Sequence, residues 1–294
     1  MTERVCAVVV TYNRVDLLRI GLQGLLQQSR PLDQIAVVNN GSKDGTTEML
    51  AKEFPQVHVL DLGENTGGSG GFNAGMKWAY EAGFDWLWVM DDDLQPFATT
   101  LEVMLRYREV SDFIHVRRES SSGVFTWEGL WDLAAVVRRT LPQDLSFQNG
   151  KPWMAVTSGN FEGALIHRRI VDKVGYPDTR FFMCGDDSIY GFLASLHTNV
   201  IYVNHIGFKR LQQPSCMLDK KKLYFCYRNR FLVFDYLRKA GMPVSKISFW
   251  IHTVLLAANL LREEREARTF GGLRFLIRGI RDGWVGRYGR PVWL

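Results

Sequence analysis

Through residue 110 the chain alternates two hydrophobic rhythms. Short unbroken apolar runs, VCAVVVTY (5–12), IAVVN (35–39), VHVLDL (57–62) and DWLWVM (85–90), read as strands. Between and after them, residues 15–28, 46–53, 71–82 and 98–109 carry apolar side chains at helical spacing. Strands that are apolar on both faces belong to a parallel sheet covered by helices on both sides, so the pattern predicts an α/β fold. Residues 110–155 are less regular, with serines at 119–123 and several tryptophans, and read as a lid or acceptor-side insertion. AVTSGNFEGALIHRRIVDKVG then reads as strand, turn and helix. FFMCGDDSIYGFLASL places two acids at a helix start, VIYV (200–203) is a short strand, and 218–283 is mostly helical. The expected organisation is a catalytic unit over 1–215, with halves 1–110 and 111–215, followed by a helical region over 216–294.

In parallel α/β sheets, ligands bind beyond the carboxyl ends of the strands. The polar loops fall there: TYNR (11–14), NNGSKDGT (39–46), GENTGGSGGFNAGM (63–76) and DDD (91–93). Together they predict a nucleotide-shaped cleft. The glycine loop fits neither common phosphate motif. From Gly68 and Gly70 the third glycine of G-x-G-x-x-G would fall on Asn73, and Met76 stands where a P-loop needs lysine. Glycines at a helix start still let backbone amides approach an anion closely; the alternative is a turn that only redirects the chain.

Three aspartates after so apolar a strand need a positive partner. In an extended segment Asp91 and Asp93 face one way and Asp92 the other. An i, i+2 carboxylate pair suits Mg2+ or Mn2+, which combines one or two carboxylates with substrate phosphates; the alternative is a helix N-cap. Asp186 and Asp187 form a second pair, placed for general-base chemistry or for capping. His205 follows a strand with no partner evident in sequence, and YRNR (227–230) is a polar patch in an apolar helix, read as functional or as a solvated face.

Composition narrows the classes only a little. Net charge is +5 with dispersed basic residues and no nucleic-acid-reading motif, which favours a phosphorylated partner or an anionic surface over nucleic acid. Cys6, Cys184, Cys216 and Cys226 form no C-x-x-C pair and read as reduced thiols of a cytoplasmic protein. The N-terminus shows no signal-peptide pattern, and the longest apolar stretch, 247–261, is short for a bilayer span. From 262 onward, eight arginines stand against four acids, interleaved with Phe270, Phe275, Trp284 and Tyr288. Such helices lie on an anionic membrane, or pack on the catalytic unit or in a homo-oligomer.

VVVTYNR, VVNNGSKDGT, the glycine loop, WLWVMDDD, FEGALIHRR and FFMCGDDSIYG, in this order, resemble family 2 glycosyltransferases of the GT-A fold. YFCYRNRFLV and the arginine-rich tail look like the bacterial surface-polysaccharide branch. NTGGSGGFNAGM followed by DWLWVMDDD is most similar to galactofuranosyltransferases, and rhamnosyltransferases share much of the pattern. The resemblance implies an inverting transfer from a nucleotide sugar, UDP-linked in preference to dTDP-linked, to a glycan or lipid-linked glycan at the inner face of the cytoplasmic membrane. It implies that Thr11, Arg14 and Asn40 lie at the nucleoside with Asp91 and Asp92. The glycine loop, with Gly68, Gly70, Phe72 and Asn73, would hold the pyrophosphate or sugar. Asp93 and His205 would hold Mn2+ or Mg2+, Asp187 would be the base, and Trp153, Asn160, Glu162 and Asp186 would lie toward the acceptor.

Two features depart from the family pattern. In D-D-x-E-x-x-x-R, Ile189 and Leu193 replace the further acid and the arginine, and Asn39 stands where relatives carry aspartate. The first departure keeps open a non-catalytic nucleotide-sugar-binding protein. A nucleotidyltransferase would show a basic, glycine-rich motif near the N-terminus, and TYNRVDLL is not one.

Overall fold

The computed structural model describes residues 3–121, 123–125, 129–140, 147, 150–212, 219–263 and 266–293. Cys216 lies outside the described residues, as do parts of the 110–155 region. β1 (Val5–Thr11), β2 (Gln34–Asn39), β3 (His58–Asp61) and β4 (Trp86–Asp91) alternate with α1 (Val15–Leu26), α2 (Thr46–Glu53) and α3 (Gly67–Glu81). β1 pairs in parallel with both β2 and β4, and β2 with β3. β1 is buried along its whole length, because helices cover both faces.

The second half departs from a purely parallel sheet. β5 (Leu94–Pro96) leads into α4 (Thr100–Leu105) and β6 (Phe113–Ser120). β7 (Gly123–Phe125) pairs with β6, and β8 (Gly129–Asp132) with β9 (Val137–Thr140) as a separate hairpin. β10 (Trp153–Val156) and β11 (Ala164–His167) follow, then α5 (Arg168–Val174), α6 (Asp186–Ser195) and β12 (Val200–Arg210). The main sheet runs β10-β12-β6-β11-β4-β1-β2-β3, with β11 antiparallel to both β4 and β6. β12 continues well past VIYV, through irregularities between Val203 and Ile206 and between Ile206 and Phe208. Those bulges break the apolar alternation and explain why the strand reads short in sequence. Its end returns to the site by pairing antiparallel with β5.

α7 (Lys220–Lys239), α8 (Lys246–Glu263) and α9 (Phe270–Trp284) complete the chain. α7 packs its Phe231, Leu232, Val233 and Phe234 against Phe181, Ile189 and Phe192. Ile189 and the partly buried Leu193, the positions that depart from the family pattern, therefore belong to the contact between α6 and α7. An acid and an arginine there would be desolvated in an apolar seam.

Candidate active site

The aspartate run closes β4 at the edge where the parallel strands end, and its three side chains have different partners. Asp92 accepts a hydrogen bond from the Thr11 hydroxyl at 2.8 Å and pairs with Arg14 at 2.9 Å. Asp93 lies 3.8 Å from Arg14 and 3.7 Å from Arg210 at the end of β12. Arg210 also reaches Glu162 at 3.6 Å, and the fully buried Arg118 reaches Glu162 at 3.3 Å. Asn160 holds this corner: its side-chain oxygen accepts from the Glu162 backbone N–H, and its amide donates to the Tyr202 hydroxyl. The positive partners demanded by the aspartates are thus Arg14 and Arg210.

Burial pushes the Asp91 carboxyl well above the usual carboxylate range, and Asp93 and Glu162 push it further. Asp93 is also raised by burial, against the pull of Arg210, while Glu162 adds to the rise. Burial raises Asp187 at the start of α6; Arg138 and the Ser188 backbone N–H oppose the rise, and Glu162 adds to it. The charge of Glu162 therefore acts on Asp91, Asp93 and Asp187 alike, and Arg210 links Glu162 directly to Asp93. Asp186 is the more enclosed member of its pair; burial and the charge of Asp187 raise it to about 7.

Several sequence-predicted residues serve the loops themselves. Thr11 is committed to Asp92. Asn40 is buried, donating to the Gly67 carbonyl while its oxygen accepts from the Thr66 N–H and hydroxyl. Asn39 accepts from Ser42 N–H and donates to Thr47. Phe72 packs on Phe161, with ring centroids 4.8 Å apart, and Asn73 donates to the Pro177 carbonyl. Phe72 is buried, whereas Asn73 is half-buried. α3 begins at Gly67, ahead of the predicted start. Gly67 adopts φ 78°, and a methyl group there would overlap the Phe182 carbonyl oxygen. Gly70 lies against the Thr66 side chain, whereas Gly68 faces open space. The loop's glycines thus mainly permit close packing, with Gly68 the position open to a ligand.

His205 and Trp153 are not brought to this center. The β12 register sets Arg210 opposite Leu94, and the Leu211 N–H donates to the Asp93 carbonyl at 2.9 Å. His205 lies five residues earlier, on the order of 16 Å along a strand. Burial, and next the charge of Arg106 just past α4, lower its pKa. Arg210 thus holds the place beside Asp93 expected for His205. Trp153 is on edge strand β10, opposite Val203 and packed on the sheet core.

Among the described residues, no three His, Cys, Asp or Glu side chains form a preassembled metal cage. The oxygens of Asp91 and Asp93 nevertheless fit a hard divalent cation that arrives with phosphates and takes only one or two protein carboxylates.

The turn that presents Asp186 and Asp187 rests on residues whose role sequence left open. Asn229 of α7 donates to the carbonyls of Phe181, Met183 and Cys184 at 3.0, 2.7 and 2.8 Å. Arg228 donates to the carbonyls of Arg180, Phe181 and Gly289 and, through Nε, to the Asn229 oxygen. Both are buried. Phe182 and Cys184 stand at φ 65° and 67°, a region non-glycine residues rarely adopt, and this web holds them there. The signal was present in YRNR: polar side chains inside an apolar helix that are too buried to be solvated.

The sequence pattern of the family described as "Glycosyl transferase family 2" matches residues 6–175. The chain is a family 2 glycosyltransferase. It is 32% identical to the galactofuranosyltransferase GlfT1 of Mycolicibacterium smegmatis, covering 78% of this chain and 82% of that protein. It is 20% identical to the dTDP-rhamnosyl transferase RfbF of Shigella flexneri, over 88% and 90% of the two. S. aureus TarS 1–349 in complex with UDP-GlcNAc superposes with a TM-score of 0.62 at 14% identity, covering 96% of the glycosyltransferase and 80% of that chain. The GT-A-like fold is thereby shown.

Proposed function

We propose that this glycosyltransferase moves galactofuranose, with inversion, from UDP-galactofuranose to a hydroxyl of a bacterial surface glycan such as O-antigen or capsule. The acceptor is carried on a lipid at the inner face of the cytoplasmic membrane. The observation that carries the reading is the charged cluster at the strand ends, where Arg14 and Arg210 stand 3.8 and 3.7 Å from Asp93 and Arg210 reaches Glu162 at 3.6 Å. Asp187, the candidate base, also feels the charge of Glu162.

The acceptor oxygen forms its bond to the anomeric carbon as the bond to the UDP oxygen breaks. Asp187 takes the acceptor proton; its raised pKa makes it a stronger base than an exposed carboxylate, and such proton transfer is typically worth ~10²–10⁴ in rate. Asp91 and Asp93 would hold Mn2+ or Mg2+, which supplies Lewis-acid stabilisation of the diphosphate leaving group. Arg14 and Arg210 flank the carboxylates and offer guanidinium donors to phosphate oxygens. Asp92, tied to Thr11 and Arg14, fixes the loop after β1, and Asn40 fixes the glycine loop beside Gly68.

GlfT1 supports galactofuranose, and TarS, solved with UDP-GlcNAc, supports a UDP-linked donor. RfbF supports a second reading, transfer of rhamnose from dTDP-rhamnose. Calorimetric titration with UDP-galactofuranose and dTDP-rhamnose, each with and without Mn2+, separates them. Mn2+-dependent binding of the UDP-sugar alone is the expected outcome; binding of dTDP-rhamnose alone selects the second reading, and binding of neither refutes both.

A further inference from the structure

α8 buries only Phe249 and Thr253. Its outward stripe of Ile247, Trp250, Ile251, Val254 and Leu255 is exposed, Ile247 to 75% and Val254 to 63%. From 247 through 261 the helix carries no charged residue. The outer face of α9 continues the surface: Phe270 is 84% exposed, Ile277 58% and Trp284 70%. The two faces join where the Trp250 and Trp284 rings meet at 6.0 Å, perpendicular to each other. Isolated exposed apolar side chains need no explanation, but a contiguous surface of this kind marks a contact site. Its rim is basic. Arg274, Arg278 and Arg281 interleave with Phe270, Leu273 and Ile277 on α9, and Lys246 and Arg262 lie near the ends of α8. Asp282, the one acid of α9, is buried beneath and paired with Arg281 at 2.8 Å.

We infer that the outer face of α8 and α9 docks on an anionic phospholipid bilayer, lying in the interface with its apolar side chains below the headgroups. Among the described residues, no helix is long and apolar enough to cross a membrane. An apolar stripe flanked by arginine, with tryptophan at its center, is the composition of an interfacial helix pair. A two-fold contact between copies would set this face against itself and bring the arginine rims of both copies together. The patch is also tied to the catalytic turn. Gly289 N–H donates to the Arg180 carbonyl at 2.7 Å, and Arg290 pairs with Glu64 beside the glycine loop at 3.0 Å. Docking would therefore fix the orientation of the cleft relative to the lipid surface. The inference does not depend on which sugar is transferred.

The test is flotation of the full chain with vesicles of phosphatidylcholine alone or of phosphatidylcholine with phosphatidylglycerol, at low and high salt. The chain should float with the anionic vesicles and be released by salt. Ile251→Asp with Ile277→Asp, both exposed positions, should lower partitioning more than tenfold, since each buried apolar side chain is worth roughly a factor of ten or more. Arg274→Glu should lower it about fivefold or more. Donor binding by each variant serves as the folding control. Flotation unchanged by the aspartate pair overturns the inference. So does absence of vesicle binding, including the case where sedimentation shows a dimer that the aspartate pair dissociates.

Discussion

Replacing Asn229 by leucine tests whether α7 positions the catalytic base. Leucine has nearly the same volume, so no cavity opens and the effect is polar. Asn229 contributes one NH2 group, aimed at the carbonyls of Phe181, Met183 and Cys184, and one oxygen that accepts from Arg228 at 2.8 Å. Two N–H donors serve three carbonyls, so the loss amounts to about three effective hydrogen bonds. At about 1 kcal/mol net for each, and more where a carbonyl stays buried without a partner, the total is roughly 3–5 kcal/mol. About 1 kcal/mol returns from burying the apolar side chain. The remainder is comparable to the roughly 1–3 kcal/mol of strain at each of Phe182 and Cys184, so the turn should relax instead of the whole domain unfolding. Relaxation moves Asp187, and a displacement near 1 Å can cost about 10²-fold in rate. The expected result is kcat reduced about 10–100-fold, with the UDP-sugar Kd changed less than about threefold and the melting temperature lowered by a few degrees. Single-turnover transfer, donor titration and calorimetry report the three quantities. Wild-type kcat and melting temperature in the leucine variant would refute the reasoning.

Asp187→Asn should lower kcat by ~10²–10⁴ while donor binding stays nearly intact; equal loss of both in a paired kinetic and binding measurement rejects the base assignment. Asp186→Asn should raise stability at neutral and alkaline pH. With its carboxyl at about 7 in the fold, the wild type is favoured while that group is protonated, fully so below about pH 4, and loses the contribution as pH rises through about 7. Melting curves from pH 5 to 9 should therefore fall more steeply for wild type than for the variant, and parallel curves would contradict the assignment. Gly67→Ala should destabilise the chain by roughly 2 kcal/mol or more and weaken donor binding, because both φ and the Phe182 carbonyl exclude a side chain; an unchanged melting curve and donor titration would count against it. A chain ended at residue 215 should fail to give soluble active enzyme, since Phe181, Ile189 and Phe192 would lose their cover from α7; transfer activity in that fragment is the contrary result.

Unbroken apolar runs made the parallel half of the sheet legible, because burial on both faces leaves a pattern that needs no tertiary information. The polar loops at the strand ends located Asp91 and Asp93 for the same reason: strand direction alone places them on one edge; Asp186 and Asp187 were read at a helix start, where α6 begins. The antiparallel insertion of β11 between β4 and β6 was not legible, since it depends on which strand comes to lie beside which. The place of Arg210 has a related cause. β12 reads as four residues but runs on through bulges to Arg210, so the residue that reaches Asp93 is Arg210. Glu162 was read as lying toward the acceptor, and its ion pairs with Arg118 and Arg210 were not legible in sequence. Arg118 stands in an edge-like polar stretch of sequence and gave no sign of being the most deeply buried cation of the center.

The match to the family pattern ends at residue 175, before the turn that carries Asp186 and Asp187, and the architecture shows what the remaining chain supplies to that turn. A turn with two residues in the left-handed region and two adjacent acids does not hold itself: like charges repel, and burial disfavours both. Three elements brace it from different directions. The glycine loop approaches through Gly67, and the Ser69 N–H donates to the Phe182 carbonyl at 3.3 Å. α7 supplies Arg228 and Asn229 from the opposite side. The C-terminal segment adds Gly289 to the Arg180 carbonyl and Arg290 to Glu64, which returns to the glycine loop. Donor loop, base turn and C-terminal helices thus form a closed chain of contacts. The apolar Ile189 and Leu193 in place of an acid and an arginine follow from the seam by which the helical region is joined to α6.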